Sequence, residues 1–171
     1  EENIEIRECM ALDSISYKEM LALIYGYRDY YKTVSLASPN NSSIEFLFEN
    51  QLNIEKFIKP FMMMRVLNPL AIFKNLKLEN SNIKIYIEDK MLKENTGLYS
   101  LNNEISFSNI NEEKASYDLK IDITDLVFLI TGYFSIDDLV KLGEIDIKNK
   151  NIIKKLNKIF SKKNSYLYEF I

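Results

Sequence analysis

The chain has 171 residues, 47% hydrophobic and 27% charged, with 22 basic against 25 acidic side chains. That is the balance of a folded globular protein, and a net charge of −3 gives nucleic-acid binding no support. Histidine is absent, Cys9 is the single cysteine and the four glycines stand far apart, which excludes Ser–His and Cys–His catalysis, an internal disulfide, imidazole or multi-cysteine metal centres and a glycine-rich phosphate loop.

Residues 4–12 open with alternation and read as a strand. Ser16 and Glu19 have capping-box spacing, and Tyr17, Met20, Leu21, Ile24, Tyr27 and Tyr31 follow at helical spacing. Residues 33–37 form a short strand, broken by Ser38-Pro39-Asn40-Asn41. Ser42 and Glu45 repeat the capping pattern and predict a second helix to about Asn50. Residues 54–66 read as a strand bent at Pro60, with residues 57–66 crossing from one domain to the next. Strand, helix, strand, helix, strand is an α/β unit.

The order then changes. Asn68-Pro69 is a helix start carrying Leu70, Phe73 and Leu76. Ile83, Ile85 and Ile87 alternate with Lys84, Tyr86 and Glu88 in a half-buried strand. Residues 97–101 and 104–107 read as a hairpin around Asn102-Asn103, and residues 117–123 as a further strand. Helices are predicted at 125–131 and 136–142, each closed by a glycine, Gly132 and Gly143. A last helix spans about 149–160, with Ile152, Leu156, Ile159 and Phe160 on one face, and a short apolar tail ends the chain. This half reads as α+β with a mostly antiparallel sheet. The charge balance shifts from −4 over residues 1–60 to +1 over residues 61–171, which supports a boundary near residue 61.

No run of eighteen apolar residues is present, so no membrane span is expected. The chain opens Glu1-Glu2-Asn3, without a methionine or signal region, and reads as an internal piece of a cytoplasmic protein. Heavy use of Ile, Asn and Lys fits an AT-rich genome. The run Lys148, Lys150, Lys154, Lys155, Lys158, Lys162 and Lys163 therefore reads first as a solvated helix face, although a basic amphipathic helix can also meet anionic lipid or nucleic acid. Met62-Met63-Met64 sits at strand positions and reads as core, or as an adaptable pocket wall. Asp122, Asp125, Asp137 and Asp138 have cap or strand-end explanations, and Cys9 reads as a small buried residue.

The stretch Pro60 to Asn68 resembles the entry to the last domain of acetyltransferases of the enhanced-intracellular-survival type. Further motifs carry the same likeness: Ile85-Tyr86-Ile87-Glu88-Asp89, then Glu94 to Tyr99, Leu119 to Leu126, and Thr131-Gly132-Tyr133-Phe134-Ser135 with Leu139, Leu142 and Gly143. Upstream, Tyr17 through Leu36 is similar to the helix–strand segment of the second acetyltransferase-like (GNAT) domain of such proteins. The resemblance implies an α/β remnant of a GNAT-like central domain at residues 1–60. It implies a complete sterol-carrier-like domain, a sheet with helices, at residues 61–171. It also implies a parent enzyme that moves acetyl from acetyl-CoA to an amine, an aminoglycoside, another small amine or a protein lysine. The acetyl-CoA loop belongs to the family's first domain, so the expected partner of this chain is that domain, within a homo-oligomer. No cofactor, metal, nucleic acid or membrane is expected at this chain alone.

In the same family the terminal carboxylate enters the first domain's active site as a general base. Here the residue is Ile171, after Glu169 and Phe170, which match the family's acidic–aromatic ending and are the expected substrate-side residues. A carboxylate in an apolar site can take a proton from an amine nucleophile; the plainer reading is an apolar tail that docks. The alternative function is a non-enzymatic carrier of a lipid or sterol, with Ile83, Ile85, Ile87, Leu119, Ile121, Val127, Phe128, Ile130 and Phe134 as walls. The same residues are what any core of about 110 residues needs, so a filled core is expected.

Overall fold

The computed structural model describes residues 2–39, 42–59, 63–76 and 82–166. They fall into two compact units, one within residues 1–60 together with Tyr166 and the other within residues 61–165.

The first unit is built on β1 (Asn3–Ile6), α1 (Ser14–Tyr25) and β2 (Thr33–Leu36). β1 and β2 pair in parallel from Asn3↔Thr33 to Ile6↔Leu36, so α1 is the crossover of a β–α–β unit. The Thr33 and Ser35 hydroxyls donate to the Asn3 side-chain oxygen at 3.0 and 3.2 Å and pin that register. The strand expected over 4–12 stops at Ile6. Its partner is only four residues long, and beyond the Ala37 N–H bond to the Ile6 carbonyl nothing offers a ladder. The helix cap is Asp13, not Ser16. The Asp13 carboxylate accepts from the Ser16 N–H at 2.8 Å and the Ser16 hydroxyl at 2.9 Å. These bonds hold its pKa below the usual value; a charged acceptor outcompetes a hydroxyl at a helix start.

The second helix predicted from Ser42 is replaced by two 3₁₀ turns, Ile44–Leu47 and Gln51–Asn53. Glu45 is drawn to Lys56, at 2.6 Å, and does not close a capping box. The Asn50 side chain accepts from the Leu52 N–H and starts the second turn, the competition with helix that Asn offers. The strand expected over 54–66 is absent among its described residues, 54–59 and 63–66, which have no strand to pair with. Met63 is fully exposed and Met64 half so, which corrects their expected place in the core; Met62 and Pro60 lie outside the described residues.

The second unit carries α2 (Pro69–Lys74), β3 (Ile83–Glu88), β4 (Gly97–Leu101), β5 (Ile105–Ser108), β6 (Leu119–Asp122), α3 (Ile123–Thr131), α4 (Ile136–Leu142), β7 (Asp146–Ile147) and α5 (Ile153–Ile159). The fold is α+β. Its sheet has the order β5-β4-β3-β6-β7, antiparallel except for the parallel pair β3–β6. The expected caps are in place at α2, where Asn68 accepts from the Ala71 N–H at 3.0 Å. Gly132 and Gly143 close α3 and α4 in the left-handed conformation, at φ +73° and +76°. α3 begins two residues early because Asp122 caps it, accepting from Thr124 N–H at 2.8 Å. A 3₁₀ turn at Lys150–Ile152 precedes α5, and β7 was not predicted, being only two residues long.

Ile83, Ile85, Ile87, Leu101 and Leu119 are fully buried in the sheet, with Phe73, Leu126, Leu129, Ile136, Leu139 and Leu156 from the helices. β3 departs from simple alternation, because Tyr86 is also buried, its ring 5.8 Å from that of Tyr117. Phe73, Tyr99 and Phe107 form a ring chain at 5.5 and 4.8 Å. By area bookkeeping each such fully buried side chain contributes about 1.5–3 kcal/mol.

Candidate functional site

Ile171, Glu169 and Phe170, the residues expected to act at the chain terminus, lie outside the described residues. What the structure does place is the segment that leads towards them. After α5, Ser161 to Ser165 runs along the α3–α4 turn. The Lys163 N–H donates to the Gly132 carbonyl at 2.8 Å, and the Ser165 hydroxyl donates to the Thr131 carbonyl. Lys162 pairs with Asp138 at 3.1 Å.

Asp138 is also the reciprocal member of the α4 capping box, accepting from the Ser135 N–H at 2.9 Å and the Ser135 hydroxyl at 2.8 Å. These bonds, then Lys162, hold its pKa down to about 2. Asp122 and Asp138 are thus capping acceptors, as their sequence positions suggest, whereas Asp137 caps nothing and accepts from the Asn157 amide at 2.7 Å. Asp125 differs. Burial, then the charges of Glu144 and Asp122, push its carboxyl up.

Asp125 lines an open groove of about 840 Å³ with Glu88, Asp89, Glu112, Asp122, Glu144 and Asp146, against the cations Arg65, Lys90 and Lys120. Lys120 bridges Glu112 at 2.6 Å and Glu88 at 3.5 Å. The Glu112 bond is the first of the effects that raise the Lys120 pKa, so it stays an ammonium and is no base. Tyr117 donates to Glu112 at 3.2 Å, and the Lys148 ammonium sits 3.7 Å from the Tyr117 ring centre. Among the described residues no group of three acidic or cysteine side chains could hold a metal ion.

At one end of the groove the buried Asp89 carboxylate accepts from Arg65 at 2.6 Å, from the Met91 and Leu92 N–H groups at 3.0 and 2.9 Å, and from Asn95 at 3.0 Å. Burial alone would raise its pKa; the bonds from Leu92, Asn95, Met91 and Arg65 outweigh it and lower the value. Tyr99, pushed up to about 12 by burial and by Asp89, donates to the Asn95 carbonyl at 2.8 Å. Both carboxylate oxygens are engaged, Oδ1 by Arg65, Met91 and Leu92 and Oδ2 by Asn95, so this network holds a loop in place. Sequence reasoning placed Arg65 and Asp89 in two separate motifs and missed that they meet. No local signal pairs residues 24 apart.

Five of the carrier's supposed walls are core, Ile83, Ile85, Ile87, Leu119 and Ile121 being at most 1% exposed, whereas Val127, Ile130 and Phe134 are half-buried and Phe128 is exposed. Of the lysine run, Lys154, Lys155 and Lys158 lie on the exposed side of α5, opposite Ile152 and Leu156. Cys9 is half-buried, its thiol donates to the Met20 sulfur at 3.7 Å, and burial pushes its pKa up. No described helix is long and apolar enough to cross a membrane.

Two family models match the chain, the acetyltransferase (GNAT) domain over residues 1–66 and the sterol carrier protein domain over residues 66–168. The chain belongs to the sterol carrier protein domain family. Its combination with a GNAT-type domain matches the enhanced-intracellular-survival type of acetyltransferase. Solved structures agree on the fold. Eis1 from Mycobacterium abscessus superposes with a TM-score of 0.74 at 14% identity, over 99% of this chain and 44% of Eis1. A GCN5-related N-acetyltransferase from Anabaena variabilis ATCC 29413 gives 0.71 at 17% identity, over 99% and 44%. A conserved protein of unknown function and probable N-acyltransferase from Enterococcus faecalis V583 gives 0.74 at 18%, over 94% and 42%. This chain therefore spans less than half the length of each of these structures. No curated protein matches it by sequence.

Proposed function

We propose that the chain is the C-terminal part of a GNAT-type N-acetyltransferase that transfers acetyl from acetyl-CoA to an amine. The observation that supports this most is the state of the first unit. It matches a GNAT domain, yet α1 buries no residue, and Leu12, Leu23, Phe46 and Phe57 stand open to solvent. Apolar side chains in such numbers need a cover, and preceding residues of the same domain would supply it. The sterol-carrier-like unit has a closed core and acts as support.

In this reading the acetyl-CoA site belongs to the preceding domain, because this chain has no paired glycines to cradle a pyrophosphate. The carboxylate of Ile171 takes the proton from the acceptor amine. The amine nitrogen then bonds to the acetyl carbon, and the thiolate of CoA leaves. Glu169 and Phe170 line the approach of the acceptor. The preceding domain is the partner within the chain, and the whole protein is a homo-oligomer in the cytoplasm; light scattering of the longer protein tests the assembly. The carrier reading rests on the sterol carrier family match alone, and five of its nine named walls are spent in the core.

The test is acetyl transfer followed by mass spectrometry. The longer protein acetylates an aminoglycoside, a polyamine or a lysine peptide, and the 171-residue chain acetylates none. Deletion of Phe170 and Ile171 lowers kcat in a folded enzyme. An unchanged rate refutes the role of the terminal carboxylate.

A further inference from the structure

We propose that the α3–α4 turn is a clamp on the C-terminal segment, with Gly132 as its positioning residue; the consequence for catalysis rests on the proposed role of the terminal carboxylate. Three interactions from consecutive parts of one segment converge on one short stretch. The Lys163 N–H bonds the Gly132 carbonyl at 2.8 Å, the Ser165 hydroxyl bonds the Thr131 carbonyl, and Lys162 pairs with Asp138 at 3.1 Å. A helix C-terminus leaves carbonyls without intrahelical partners. Here two of them are used by a later part of the chain.

Gly132 is required twice over. Its φ of +73° is the left-handed region that L side chains seldom adopt. A Cβ at this position would also stand 2.7 Å from both the Lys163 nitrogen and its Cβ, and 2.9 Å from the Ser161 carbonyl oxygen. The other helix-closing glycine is a contrast: Gly143 has the same φ range and nothing within 4 Å of its Cβ position. The left-handed turn alone thus does not call for the close approach at Gly132. That space is occupied by the segment from Ser161 to Lys163. Asp138 ties the clamp to the α4 capping box, so one carboxylate fixes both the helix start and the outgoing chain. The chain is thereby held as far as Ser165, six residues before Ile171.

The experiment has two arms. In the first, hydrogen exchange of the Lys163 amide is measured in the 171-residue chain and in two variants, Gly132→Ala and the double variant Lys162→Ala/Ser165→Ala, which leaves the helix cap untouched. The clamp predicts exchange faster by roughly tenfold or more in both, with the amides of β3 and β6 unchanged. A Lys163 amide that is unprotected in the parent, or unaltered in both variants, overturns the clamp. In the second arm the same variants are placed in the longer enzyme. Positioning predicts a lower kcat at unchanged KM for acetyl-CoA, and no added loss once Phe170 and Ile171 are deleted. If the variants release Lys163 but keep kcat, while the deletion lowers it, positioning by the clamp is wrong and the carboxylate role stands. If the deletion also keeps kcat, the carboxylate role fails and the catalytic consequence falls with it, while Lys163 exchange still decides the clamp.

Discussion

The two units use the same kinds of residues and reach opposite states. In the first, α1 carries Tyr17, Met20, Leu21 and Ile24 on one half-buried side, and no residue of the helix is buried. In the second, α3 is shorter, yet Ile123, Leu126 and Leu129 are all buried beneath it. The difference lies in what each helix has to cover. α1 connects two parallel strands of four residues each, whereas α3 belongs to a unit with five strands and three further helices. A small sheet leaves most of an amphipathic helix wet, and an isolated strand pair has little independent stability. The contrast teaches that an apolar stripe records a demand for burial, not its fulfilment.

The largest expected effect tests the closed core. Phe73→Ala, at a fully buried ring 5.5 Å from Tyr99, costs about 4 kcal/mol in urea denaturation followed through the second unit. A cost below about 1 kcal/mol would mean the core is loose and the contrast false. Asp89→Ala comes next, at about 3 kcal/mol, because it strands Arg65, two N–H groups and the Asn95 amide; the partial exposure of Arg65 keeps the loss at the lower end. Tyr99→Phe removes one buried bond to the Asn95 carbonyl and costs about 1 kcal/mol.

The first unit gives the opposite expectation. Leu23→Ser, at an exposed helix position, changes the stability of the 171-residue chain by less than about 0.5 kcal/mol. In the longer protein the same change costs about 2 kcal/mol, the worth of a leucine that has gained its cover. Equal costs in both would break the comparison. The smallest effect is a pH dependence. Asp138 titrates at about 2, below the ordinary carboxylate range, so its contribution is complete above about pH 4 and is lost as the pH falls towards 2. The Tm difference between the parent and Asp138→Asn therefore shrinks over that window and is flat above it.

The sequence made the second unit largely legible because its signals are local. Asn68-Pro69, the alternation of Ile83, Ile85 and Ile87, and the two glycines after α3 and α4 each act within a few residues. The first unit misled for the same reason. Ser42 and Glu45 have capping-box spacing, but Lys56 takes the carboxylate, and the strand pattern over 54–59 and 63–66 has no ladder to join. Register and partner choice are long-range, so neither the parallel pairing of β3 with β6 nor the two-residue β7 could be read. At the candidate site the capping roles of Asp122 and Asp138 were legible. The contact of Lys163 with Gly132, thirty-one residues back, left only the glycine as a sign, and a helix cap explained that glycine already.

The most direct measurement is hydrogen exchange of the α1 amides, compared between the 171-residue chain and the longer protein. The account predicts that α1 opens readily in the short chain and is protected by roughly a hundredfold more in the longer protein, while β3 and β6 exchange slowly in both. Equal protection of α1 in the two would contradict it, because the first unit would then be complete as it stands.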